Sequence, residues 1–256
     1  MLNGFTPPYT PSGRSSLVTA PPWHYAGQVL SLAFVVDRNA AQNLLPEEFG
    51  TVTGNGAGHF CEWQATTDGS ELIDPAYAQY KEFFVLIEVE RHGKRVLYCP
   101  FIYVDQDISI VRGWMQGLPK KLGSIWMTRT YDLDHDAAAP IRKGSRFGAS
   151  LAVKDRRLAA ATAALTGELA TPIGFLGLPT VGMVGAPTLI GTPNAGDKKL
   201  VQAVVSAKVQ GPAHAATGTL SFFDSPRDEL SLLQPRSVTA ASLSTFALTV
   251  VAAVEA

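Results

Sequence analysis

Lys120 and Lys121 stand side by side in Gly117-Leu118-Pro119-Lys120-Lys121-Leu122-Gly123. Adjacent ammonium groups repel, and an apolar pocket around one of them favours the neutral amine. A neutral amine attacks carbonyl carbons and forms a Schiff base. The neighbours suit a pocket: Ile108, Ile110, Val111, Trp114, Met115 and Leu118 lead in, and Leu122, Ile125, Trp126 and Met127 follow. Pro119 and the flanking glycines hold the backbone in a tight bend. The ordinary alternative is a solvated basic turn, since lysine is rarely buried.

Schiff-base chemistry also needs groups that move protons while water leaves the carbinolamine and while the carbon beside the imine is deprotonated. Glu62, in Phe60-Cys61-Glu62-Trp63, and Glu82, in Gln79-Tyr80-Lys81-Glu82-Phe83-Phe84, are the acidic candidates. On a strand, Tyr80 and Glu82 point to one face. Outward-facing strand positions are the alternative for both glutamates. Gln116 can hold a substrate carboxylate or hydroxyl through its amide without adding charge. Trp114 beside it reads as pocket wall or core packing, and Arg112 as a surface or interface residue. A second pair, Lys198 and Lys199, sits in a polar turn and reads as solvated.

The run Tyr98-Cys99-Pro100-Phe101-Ile102-Tyr103-Val104-Asp105-Gln106-Asp107, continued by the Pro-Lys-Lys-Leu-Gly bend at 119–123, resembles the acetoacetate decarboxylase family. That family is a known case of a lysine activated by a cationic neighbour. The resemblance implies Lys120 as the Schiff-base lysine and Lys121 as the neighbour that favours its neutral form. It puts Glu62, Glu82 and Tyr80 among the proton-transfer groups and Gln116 and Trp114 against the substrate. The implied fold is α+β, mainly antiparallel: a cone-like β-barrel with short helices and loops. No cofactor and no metal are implied.

The sequence also departs from the decarboxylase pattern. Family decarboxylases carry an arginine early in the chain, where this sequence has Gly27 within Trp23-His24-Tyr25-Ala26-Gly27-Gln28-Val29. Trp114 stands where their glutamate precedes the lysine bend. Tyr80 with Gln116 is similar to a branch of the superfamily that performs aldol and dehydration chemistry on pyruvate. The implied activity is therefore a pyruvate aldolase-dehydratase, with decarboxylation of acetoacetate or another 3-oxo acid as the alternative. A non-catalytic small-molecule binding barrel is a further one. The expected partners are a small oxo acid and an aldehyde.

Composition narrows the field. A net charge of -1 with intermixed signs over 256 residues gives no polyanion-binding surface, so no nucleic acid is expected. Charged residues make up 17% and apolar residues 46%. Such a surface is expected to be covered in a homo-oligomer, a dimer or a tetramer. The five histidines show no metal-ligand spacing. Cys61 and Cys99 read as reduced core residues. The longest apolar run, 246–254, is too short to span a bilayer, and no signal segment is visible, so a cytoplasmic enzyme is expected.

The elements that must position these groups read as strands at 28–36, 59–66, 82–90, 96–104, 126–133, 147–153, 199–210, 216–223 and 244–254, with a hairpin turn at 91–94. Asp37 is expected to cap a short helix over 38–45, and 109–116 forms a helix beneath the lysine bend. Gly54, Gly56 and Gly58 read as a turn, 67–80 as a loop, and 171–193 as an irregular excursion. The alanines of 156–169 favour a helix, but the resemblance implies a strand there. The whole chain, 1–256, is expected to be one domain with residues 1–22 as an extended arm.

Overall fold

The computed structural model describes residues 1–173, 177–187, 189 and 196–256. Among the described residues, eleven strands are β1 Trp23–Val35, β2 Thr51–Thr66, β3 Gln79–Arg91, β4 Lys94–Val104, β5 Lys120–Leu122, β6 Ser124–Met127, β7 Arg146–Val153, β8 Arg156–Leu169, β9 Thr180–Val184, β10 Lys199–Phe222 and β11 Ser237–Glu255. Three short helices are α1 Arg38–Gln42, α2 Pro75–Ala78 and α3 Asp107–Met115. The hydrogen-bonded order is β11-β1-β2-β3-β4-β9-β10-β8-β7-β6, with β5 beside β4. A further β10–β11 pairing closes β11, β1, β2, β3, β4, β9 and β10 into a ring. Among the described residues, only β4–β5 and β4–β9 pair in parallel.

Alternation along β3 shows how the ring positions a site. Phe83, Val85 and Ile87 enter a large core with Phe34, Phe60, Phe147 and Leu151. Tyr80, Phe84 and Leu86 go to the other face, with Cys61, Trp63, Ile102 and Phe246. Successive strand residues face opposite sides, so one strand serves a packed core and a pocket. The β3–β4 hairpin turns at His92 (φ 49) and Gly93 (φ 71), the double left-handed pair of a tight hairpin. Asp37 caps α1 through Oδ1, 2.9 Å from the Ala40 amide.

Several expectations are corrected. Gly54, Gly56 and Gly58 lie within β2, not in a turn. A Cβ at Gly56 would stand 3.0 Å from the Phe34 ring, and one at Gly58 3.0 Å from Leu220, so these glycines admit facing core side chains. The regions expected as two strands, 199–210 and 216–223, are one strand, β10, carried through by register shifts against β11. The strand expected over 126–133 ends at Met127. The 171–193 excursion contains β9, and part of it lies outside the described residues. The loop at 67–80 carries a 3-10 turn and α2, and Tyr80 belongs to β3. The helix expected to end at Leu45 ends at Gln42. The alanine-rich 156–169 segment is a strand: β8 lies between β7 and β10, and those partners override helix propensity. No helix among the described residues is long and apolar enough to cross a membrane.

Candidate active site

Lys120 opens β5, which pairs with β4 at Ile102. Its side chain is buried (6% exposed), and Nζ donates to Glu82 Oε2 at 2.6 Å and to Ser109 Oγ at 2.9 Å. Glu82 comes from β3 and is equally buried. Its second oxygen, Oε1, accepts from the Trp63 indole N–H at 3.2 Å. The ammonium also lies 5.5 Å from the centre of the Tyr80 ring. A buried ion pair needs such added hydrogen bonds to offset its lost hydration.

Helix α3 supplies the other wall. Ser109, Arg112 and Gly113 are its buried positions, and Gln116 follows one turn after Arg112. Residues at this spacing share one helix face. A Cβ at Gly113 would stand 2.5 Å from Lys120 Cγ, so the missing side chain is the channel through which the lysine stem passes. Gln116 Nε2 donates to the Arg112 carbonyl at 2.9 Å. The Arg112 charge and the Gln116 amide both act on the Tyr25 phenol, lowering its pKa against the effect of burial.

Lys120, Glu82, Tyr80 and Gln116 border a cavity of about 440 Å³. Tyr25, Trp63, Tyr80, Glu82, Gln116 and Lys120 form its polar part, and Phe84, Leu86, Ile102, Leu118 and Leu248 its apolar part. Burial pushes the Tyr25 phenol up to about 12, partly opposed by the Arg112 charge. Burial, then the Glu82 charge, raises Tyr80 well above the usual phenol range. Both phenols are therefore protonated donors near neutrality. Burial and then Glu82 push the Cys61 and Cys99 thiols up, so both are protonated, free cysteines beside the site.

The family model described as acetoacetate decarboxylase matches residues 6–255. The chain belongs to the acetoacetate decarboxylase family. Among solved structures, it is similar to the enduracididine biosynthesis enzyme MppR complexed with pyruvate: 30% identity over 100% of this chain and 98% of that one, TM-score 0.91. It is equally similar to MppR complexed with the condensation product of pyruvate and imidazole 4-carboxaldehyde: 30% identity over 100% and 97% of the two chains, TM-score 0.92. An acetoacetate decarboxylase-like enzyme from Sphingomonas wittichii RW1 shares the fold at 23% identity over 99% of each chain, TM-score 0.88. No curated protein matches in sequence.

Of the residues singled out in the sequence, this member of the acetoacetate decarboxylase family brings Lys120, Glu82, Tyr80 and Gln116 together. Three others lie elsewhere. Lys121 points to the opposite face of β5, where its ammonium pairs with the Asp228 carboxylate and lies 5.1 Å from the centre of the Tyr103 ring. Tyr103 donates to the other Asp228 oxygen at 2.6 Å. Strand alternation separates the two ammonium groups that the sequence sets side by side. Trp114 is 57% exposed and braces β5 from outside, its indole N–H donating to the Lys120 carbonyl at 2.9 Å. Glu62 falls between Cys61 and Trp63, hence on the other face of β2. It borders an adjoining groove of about 1030 Å³, which shares Trp63 and Tyr80 with the Lys120 cavity, and sits 3.4 Å from Arg129.

Residues the sequence reading passed over complete the site: Tyr25, Trp63, Ser109 and Arg112. The signal for the α3 pair was present as polar residues at 109, 112 and 116 among Ile108, Ile110 and Val111. Arg112, expected at a surface or an interface, is 4% exposed. Its guanidinium lies 5.6 Å from the Trp23 ring centre, and among the described residues its Nε has no hydrogen-bond partner. None of the ion pairs among the described residues includes it. A buried cation without an acid, behind Tyr25 and Gln116, favours an anion in the cavity. Among the described residues, no three His, Cys, Asp or Glu side chains are grouped to hold a metal ion.

Proposed function

We propose that this chain is a cofactor-free lyase in which Lys120 forms a Schiff base with pyruvate or a similar small 2-oxo acid, and the resulting enamine condenses with an aldehyde and loses water. The carrying observation is Lys120 Nζ, buried 2.6 Å from Glu82 beside a polar-and-apolar cavity, in a chain that matches pyruvate-bound MppR end to end. Glu82 takes a proton from Lys120, and the freed amine attacks the keto carbon. Water leaves, and the iminium N–H faces the Glu82 carboxylate. Removal of a proton from the methyl carbon gives the enamine, which attacks the aldehyde. Tyr80 donates to the aldehyde oxygen as it becomes a hydroxyl, loss of water gives an unsaturated iminium, and hydrolysis of that iminium releases the unsaturated 2-oxo acid and frees Lys120. Gln116 and Tyr25 hydrogen-bond the substrate carboxylate, and Arg112 behind them supplies the balancing charge.

Decarboxylation of acetoacetate or another 3-oxo acid is the second reading. It uses the same imine, the family match favours it, and Arg112 is a buried cation that can substitute for the arginine missing at position 27. The deciding experiment incubates the protein with pyruvate, traps with borohydride and reads the intact mass. It then compares pyruvate plus an aromatic aldehyde or an enal with acetoacetate. A trapped adduct and a new conjugated absorbance are expected, with little carbon dioxide from acetoacetate. Fast carbon dioxide release without a conjugated product selects the decarboxylase instead. Absence of any adduct reduces the protein to a binding barrel. The exposed Trp114, Leu122 and Trp126 support assembly into a dimer or tetramer, and cytoplasmic action on soluble oxo acids fits this chemistry.

A further inference from the structure

Lys120 Nζ has two hydrogen-bond partners, and the mechanism so far uses only Glu82. The other, Ser109 Oγ at 2.9 Å, is 2% exposed. The Tyr80 ring lies on the same ammonium, its centre 5.5 Å from Nζ. A hydroxyl accepts and donates at once. A buried hydroxyl in contact with the reacting nitrogen can therefore take its proton and pass on its own. Its placement is specific, since α3 presents Ser109 and Gly113 on one face, the glycine passing the lysine stem and the serine meeting its tip.

We propose that Ser109 is a catalytic residue that shuttles a proton from the Lys120 nitrogen to the oxygen of the attacked carbonyl, an inference that rests on the Schiff-base reading above. When the amine adds to the keto carbon, the C–N bond forms, the C=O π bond breaks, nitrogen becomes positive and oxygen negative. Direct transfer between adjacent N and O atoms passes through a strained four-membered ring. Through Ser109, nitrogen gives its proton to Oγ while Oγ gives its own to the alkoxide, and the serine ends unchanged. The neutral carbinolamine then takes the proton that Glu82 removed at the start. Water departs, and the iminium faces a carboxylate again. The three protons of the ammonium are accounted for, two in the water and one on the iminium.

The test measures the rate at which borohydride-trappable pyruvate adduct forms under single-turnover conditions, in light water, heavy water and mixtures of the two. Ser109→Ala is expected to slow adduct formation by about a hundredfold, the scale for losing a positioned proton-transfer group, with little change in the pyruvate concentration at half-maximal rate. Ser109→Thr, which restores the hydroxyl, recovers most of the rate. The wild-type rate plotted against deuterium fraction is expected to curve, with two protons in flight, and to become linear in Ser109→Ala. An unslowed Ser109→Ala enzyme that still forms the adduct at Lys120 overturns the shuttle and leaves the Schiff-base reading standing. If Ser109→Ala does not fold, a linear plot for the wild type overturns the shuttle by itself. No adduct in the wild type removes both readings.

Discussion

Gly27 faces Trp63 across the β1–β2 pair, and a Cβ at position 27 would stand 2.5 Å from the Trp63 ring. The indole occupies the space that a side chain at 27 would need. From there its N–H reaches Glu82 Oε1, whose partner oxygen holds Lys120. The missing arginine of the decarboxylase pattern is thus coupled to a tryptophan that aligns the acid. Gly27→Ala should cost about 1–3 kcal/mol of stability through overpacking and slow adduct formation by moving Trp63. Trp63→Phe keeps most of the ring but loses the N–H, so it should slow adduct formation with a smaller change in Tm. Denaturant melts and borohydride trapping read both. A Gly27→Ala protein with wild-type stability and turnover would show that Trp63 has room to move.

Lys120→Ala should abolish the borohydride adduct while the protein stays folded. Lys121→Ala should keep the adduct at Lys120 and its pH dependence, because the Lys121 charge is matched by Asp228 on the opposite face. Its effect should instead fall on stability, about 1–3 kcal/mol, the cost of leaving a buried acceptor short of a partner. Peptide mapping locates the adduct, and a pH series of trapping rates checks the rest. An adduct on Lys121, or a pH profile displaced by Lys121→Ala, contradicts this division of labour.

Arg112→Gln should raise the pyruvate concentration needed for half-maximal adduct formation by about ten- to a hundredfold, the weight of a charge-assisted interaction of roughly 1.5–3 kcal/mol. The maximal rate should change less, because Tyr25, Gln116 and Lys120 line the cavity and Arg112 does not. Titration with an uncharged ketone in place of pyruvate should show no such difference between variant and wild type. Equal weakening of both ligands would mean that Arg112 only holds α3 in shape.

How much of this was legible beforehand follows from strand and helix periodicity. Lys120, Glu82, Tyr80 and Gln116 were readable because motif and alternation agreed. Glu62 and Lys121 were misplaced by one residue of strand phase: each neighbours a pocket residue, Trp63 or Lys120, and so faces the other way. Register of that kind is fixed by cross-strand partners such as Cys61–Glu82 and Trp63–Tyr80, which no local pattern contains. Arg112 was read as surface because arginine usually is. Its burial depends on Trp23 and Tyr25, some ninety residues earlier in the chain. The alanine run of β8 went to a strand only through the family likeness, since local propensity points to a helix.

His59 predicts a pH-dependent stability. It is 1% exposed, its Nδ1 lies 2.9 Å from Ser31 Oγ, and its ring stacks on Phe84 at 4.8 Å. Burial lowers its pKa from 6.5 to about 3, so the folded protein keeps it neutral. The unfolded chain protonates it below about pH 6.5. Between about pH 6 and pH 3 the unfolded state therefore binds one more proton at this site than the folded state. Stability falls with pH there by as much as about 1.4 kcal/mol per unit. Above that window the histidine contributes no pH dependence. Carboxylates titrate in the same range, so the comparison is with His59→Asn, which keeps a polar partner for Ser31 and cannot ionise. Urea midpoints at about pH 7 and about pH 5 should separate the two proteins, the wild type losing more stability on acidification by about 1–2 kcal/mol. Parallel losses in both would mean that acid instability arises elsewhere, with His59 taking up its proton while the fold is intact.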